Sequence, residues 1–170
     1  MKNLTQIFLL ITVAVIFYSC GNEKSLRGYR FSEDGLIYKS SSNELYTGVV
    51  SDTSDVIITF EVVNGIKHGA FITFYHNGEY EKYGLIENDK NVGDWSYFYP
   101  NGQLESTGSF ENNKANGIWT NYHPNGKIKA EGEYKEGEQH GYWKYYNQSG
   151  KLVNVLTFQN GVLVENQIRS

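Results

Sequence analysis

A chain of 170 residues with 14 Tyr, 9 Phe, 3 Trp and 18 Gly, against 2 Pro and 1 Met, favours strands joined by turns over helices. Its 15 basic and 19 acidic residues give a formal net charge of -4 and are interspersed, so the basic stripe of a nucleic-acid binder is missing and that partner class is set aside. One cysteine excludes an intrachain disulfide, and the fold must hold by its own packing.

The N-terminus reads as an address. Lys2 precedes the apolar run Ile7 to Tyr18, which meets the small-residue junction Ser19, Cys20, Gly21. The run is short of the roughly 20 residues that a membrane-crossing helix needs. Residues 1–19 are therefore expected to be a signal peptide. With Ser19 before it, Cys20 resembles the acylated cysteine of bacterial lipoproteins, although Phe17 and Tyr18 are bulkier than that pattern usually has. The resemblance implies a lipid on Cys20, a linker over residues 20–30 and a lipid-anchored place in the cell envelope, expected at the outer membrane. A plain signal peptide with a chance cysteine, or an uncleaved anchor, is the alternative.

Residues 31–68 hold short strand-like runs around Leu36 to Tyr38, Leu45 to Val50 and Val56 to Val62, expected to form a degenerate repeat or N-terminal cap. From Gly69 the chain repeats every 24 residues, with units opening at Gly69, Gly93, Gly117 and Gly141. In successive units Phe71, Trp95, Trp119 and Trp143 fall in one column, as do Gly78, Gly102, Gly126 and Gly150, and as do Tyr80, Leu104, Ile128 and Leu152. Ile128, Ala130, Gly132 and Tyr134 alternate with charged residues, the pattern of a half-solvated strand. Residues 69–161 are thus four β-hairpin repeats, and residues 162–170 a terminal strand and tail. The fold class expected is all-β, an elongated antiparallel meander in a mostly single-layer twisted sheet.

Two registers fit each hairpin. A two-residue Asn-Gly loop sets Trp95 opposite Gly108 and Trp119 opposite Gly132, where an indole could lie across bare backbone. Pro100 and Pro124 suit the second position of a type I turn, which gives a three-residue loop with a bulge and exchanges the faces. The two-residue loop is preferred, because it sets the Trp column beside the Leu/Ile column. A second turn between hairpins is marked by Asn64-Gly65, Asn112-Asn113 and Glu136-Gly137.

The run EYKEGEQHGYW from Glu133 to Trp143, with YPNG ending at Gly102 and HPNG ending at Gly126, resembles the MORN-variant repeat family. LYTGVV, ending at Val50, extends the likeness upstream. The resemblance implies an elongated twisted sheet. It also implies membrane-lipid recognition or protein scaffolding, with an antitoxin label on some bacterial relatives.

No catalytic set emerges. His68 and His140 stand three repeats apart, roughly 29 Å at about 4.8 Å per strand, and cannot share a metal. His76 and His123 flank turns. Glu131, Glu133, Glu136 and Glu138 interleave with Lys129 and Lys135 as a solvated face does, and no helix follows the glycines as a phosphate cradle requires. The expectation is a protein that is not an enzyme and holds no cofactor or metal. Trp95, Trp119, Trp143, Gly102, Gly126 and Gly150 read as structural. Columns that vary between repeats beside the Trp column offer Tyr97, Tyr99, Tyr145 and His123 as contacts for a protein or glycan. The alternative reading is an antitoxin-like or immunity-like protein that neutralises a toxin, and lipid-headgroup binding lacks a basic patch.

Overall fold

A computed structural model of the chain describes residues 28–53 and 57–168; the expected signal and Cys20 lie outside the described residues. The chain divides into two compact units, Met1–Leu45 and Tyr46–Ser170, so residues 31–68 fall on both sides of the division. In the first, β1 (Tyr29–Phe31) pairs antiparallel with β2 (Ile37–Lys39), and Tyr29 and Ile37 are buried.

The second unit holds one open antiparallel sheet whose strands neighbour each other in chain order. They are β3 (Gly48–Asp52), β4 (Ile57–Val63), β5 (Ile66–Phe74), β6 (Tyr80–Glu87), β7 (Lys90–Phe98), β8 (Leu104–Glu111), β9 (Lys114–Tyr122), β10 (Ile128–Lys135), β11 (Glu138–Tyr146), β12 (Leu152–Gln159) and β13 (Val162–Ile168). The described residues form no helix. The all-β repeat meander read from the sequence is the fold, and its eleven strands span about 48 Å in a single layer.

Two kinds of turn alternate along its long sides. Between hairpins, Asn64-Gly65, Asn88-Asp89, Asn112-Asn113, Glu136-Gly137 and Asn160-Gly161 all have positive φ at both residues, the two-residue type I′ turn. At the hairpin tips the preferred two-residue loop is not found. The Gly102 amide donates to the Tyr99 carbonyl at 2.9 Å and the Tyr99 amide to the Gln103 carbonyl at 2.8 Å, so the loop has three residues, with Pro100 second in the turn and Gly102 at φ 78°.

Even so, Trp95 stands opposite Gly108 and Trp119 opposite Gly132, because a bulge one pair further in restores the register. Phe98 pairs with Leu104 but Tyr97 with Ser106, which leaves Glu105 over; in the next repeat Lys129 is left over in the same way. The bulge also turns Leu104 and Ile128 onto the face they share with Phe98 and Tyr122. The Leu/Ile column is therefore not beside the Trp column, contrary to the reason for preferring the shorter loop.

Each first strand of a hairpin carries a second irregularity at Gly69, Gly93, Gly117 or Gly141, all at positive φ, and at each of them the register with the preceding strand shifts. Bulges bend strands, and bends stacked at the same place crease the sheet along its width. The Trp row fills the crease, which is how Trp95, Trp119 and Trp143 reach 2%, 8% and 2% exposure in one layer. Each indole lies on a glycine of the preceding strand, not on the one paired with it in its own hairpin. A Cβ on Gly84, Gly108 or Gly132 would meet Trp95, Trp119 or Trp143 at 2.2, 2.3 and 2.4 Å. The indole N–H groups donate to the carbonyls of Leu85, Ser109 and Glu133 at 3.2, 3.1 and 3.1 Å. Phe110 and Tyr134 join the row edge-on, with centroids 5.2 Å from Trp119 for Phe110 and 5.1 Å from Trp143 for Tyr134.

Candidate functional site

The varying columns named from the sequence occupy the tip half of this creased face. Tyr97 stacks beside Trp95 at 6.3 Å and leans on Trp119 at 6.2 Å, while Tyr145 lies 6.4 Å from Trp143. Both belong to the partly buried shell around Trp119, Ala130 and Trp143. Burial raises the Tyr97 phenol above its ordinary pKa, since the anion would lose hydration.

Tyr99 and His123 reach across to the next repeat. The Tyr99 hydroxyl donates to the Tyr122 carbonyl at 2.7 Å, as Tyr75 does to Phe98 at 2.7 Å, and His123 Nε2 lies 2.9 Å from the Tyr146 carbonyl. Each of these bonds ties one repeat to the carbonyl one period on. On the opposite long side, the amides of Asp89, Asn113, Gly137 and Gly161 donate to the carbonyls of Lys67, Asn91, Ala115 and Gln139, so both margins are cross-linked between repeats. The structure thus brings Tyr97 and Tyr145 together around the Trp row and gives Tyr99 and His123 tethering bonds. Gly102, Gly126 and Gly150 sit at positive φ in the tip turns.

A column that the sequence reading passed over faces outward on the other side of the sheet. Asp94, Ile118 and Tyr142 each precede a tryptophan and so point away from the crease. Ile118 is 66% and Tyr142 65% exposed, the largest values among the exposed large hydrophobic residues of the repeat strands β5 to β12. Between them on β10 stands Glu133, paired directly with Ile118 on one side and His140 on the other. The signal available in sequence was strand alternation: the residue before a buried Trp must face out.

On the tip half of that outer face, Tyr146 donates to Glu131 Oε1 at 2.7 Å, and Lys144 lies 3.4 Å from the same oxygen. The hydrogen bond to Glu131, then burial, raises the Tyr146 pKa. Among the described residues no three His, Cys, Asp or Glu side chains gather as a metal site would require. No described helix is long and apolar enough to cross a membrane.

Comparison with known proteins matches the family described as MORN repeat variant to residues 91–112, 115–136 and 139–160. No curated protein matches the chain significantly. Among solved structures, the crystal structure of TarM is 15% identical over 71% of this chain, at a TM-score of 0.33. The GtfA/B complex bound to UDP and GlcNAc is 13% identical over 82%, at 0.21. The chain spans 21% and 24% of those proteins' own lengths, and scores at that level do not establish a shared fold. Three tandem matches, each coinciding with one hairpin of the creased sheet, make residues 91–160 of this chain a MORN-variant repeat protein.

Proposed function

We propose that this chain is a non-catalytic, lipid-anchored protein of the bacterial envelope whose repeat sheet binds a protein or a glycan. Repeats of this family are typically binding and scaffolding modules. The observation that carries the reading is the division of labour within each repeat: recurring residues fill the crease and the turns, while Asp94, Ile118 and Tyr142 vary and stand in solvent. A surface whose scaffold repeats and whose exposed positions change suits recognition. The envelope location rests on the signal-like N-terminus and Cys20.

The experiment has two arms. Mass spectrometry of protein expressed in a bacterial host should find an N-terminus at an acylated Cys20, and Cys20→Ser should release the chain from membranes. A chain still beginning at Met1 would overturn the anchor. Photo-crosslinking in intact envelopes from positions 94, 118 and 142 should then give a discrete adduct. Absence of any adduct from any exposed position of the sheet would overturn the binding role.

A further inference from the structure

The sheet's outer face carries a more specific feature, whose use in recognition rests on the binding role proposed for this chain. Ile118 on β9 stands directly across the ladder from Glu133 on β10, whose partner on β11 is His140. Tyr142 lies two residues beyond His140 on the same face, so Ile118 and Tyr142 stand on the two strands that flank Glu133. Both side chains are about two-thirds exposed, and the Glu133 carboxylate forms none of the ion pairs found among the described residues. Neighbouring charges are otherwise compensated. Lys114 lies 2.9 Å from Glu136, Lys144 lies 3.4 Å from Glu131, and Lys135 stands directly across the ladder from Glu138. Glu133, itself exposed, therefore stands outside these ion pairs in a shallow slot between an aliphatic side chain on β9 and an aromatic one on β11.

We propose that this slot docks an arginine side chain presented by an apolar-flanked basic segment of a partner protein. A guanidinium is planar and weakly hydrated, stacks on an aromatic face and bonds a carboxylate with two parallel N–H groups. Between Ile118 and Tyr142 it would lie against the phenol ring while its donors meet Glu133, and apolar residues on either side of it would cover Ile118. Lysine offers one compact, strongly hydrated charge and satisfies fewer of these contacts. An acidic segment is repelled by Glu133 and by the chain's net charge of -4.

The test is fluorescence anisotropy of a labelled Leu-Arg-Leu-Arg-Leu-Arg peptide titrated with the full chain. Leu-Lys, Leu-Gln and Leu-Glu peptides of equal length serve for comparison. Saturable binding is expected for the arginine peptide, weaker binding for the lysine one and none for the glutamate one. Glu133→Gln and Tyr142→Ser should each weaken the arginine peptide about tenfold, one charge-assisted contact each, with an unchanged circular dichroism spectrum. Lack of saturable arginine binding, equal binding of the glutamate peptide, or indifference to both substitutions would overturn the slot. Failure here alongside envelope adducts from other exposed positions removes only the slot. Failure of the adducts removes the binding role itself.

Discussion

Substituting Gly108 by alanine should destabilise the sheet only while Trp119 is present. The backbone at Gly108 does not have a positive φ, so alanine meets no conformational barrier there, and its cost comes entirely from the indole. A Cβ at Gly108 would lie 2.3 Å from Trp119 Cδ2 and 2.4 Å from Cε2, at the rigid middle of the ring system and not at a flexible end. The indole cannot rise, because its N–H is bonded to the Ser109 carbonyl and Phe110 and Tyr134 stand edge-on at 5.2 and 5.9 Å. Overpacking of this kind costs about 1–3 kcal/mol, and the upper half of that range is expected here.

Trp119→Ala alone removes a side chain that is 8% exposed, and large-to-small aromatic changes cost about 3–5 kcal/mol. In that background Gly108→Ala should be neutral or stabilising by about 0.5 kcal/mol, since alanine is a better strand residue than glycine. The coupling across the four proteins is then about 2–3.5 kcal/mol, read from urea denaturation followed by circular dichroism. An equal effect of Gly108→Ala with and without Trp119 would refute the idea that this glycine exists to seat the indole.

Tyr99→Phe removes only the hydroxyl that reaches the Tyr122 carbonyl, and should cost about 1 kcal/mol in the same assay, whereas Tyr142→Phe on the exposed column should change nothing measurable. Alkaline pH should loosen the fold. Burial raises the Tyr97 and Tyr134 phenols above 10.0, so above that pH the unfolded chain holds fewer protons than the folded one and stability falls as pH rises. Ultraviolet titration of phenolate should show a late-ionising fraction that is lost in urea, and an identical titration in both states would refute it.

The period, the turn glycines and the fold class were legible because they are local. A positive φ selects Asn or Gly whatever surrounds it, and alternation reports a strand face directly. What stayed hidden were choices between neighbours. Trp119 is flanked by Gly108 on β8 and Gly132 on β10 at similar sequence separations, and its own hairpin pairs it with Gly132. The indole instead lies back on Gly108, a preference set by side-chain direction within a bent strand. The loop was likewise a choice between two turns that both tolerate Asn-Gly. Each alternative was half right, because the bulge at Glu105 cancels the shift that the three-residue loop introduces. Tyr99 and His123 looked free because they vary, yet both hydroxyl and imidazole reach a carbonyl one repeat on, so variation in residue type hid a constant bond.

The same logic explains how the Trp row stops. One period upstream of Gly84 and Trp95 stand Phe60 and Phe71, whose rings stack with centroids 6.1 Å apart. One period downstream of Gly132 and Trp143 stand Leu156 and Gln167. At each end the glycine and the tryptophan are lost together. The hydrophobe that replaces the glycine occupies the space an indole would have covered, and at the downstream end the partner becomes polar on β13. A glycine left without its tryptophan would leave a gap in the crease, and a tryptophan left without its glycine would have nowhere to lie. The unit of this fold is therefore the glycine of one hairpin with the indole of the next. The repeats count themselves by that pair, which joins neighbouring units and leaves the outward face of each free to differ.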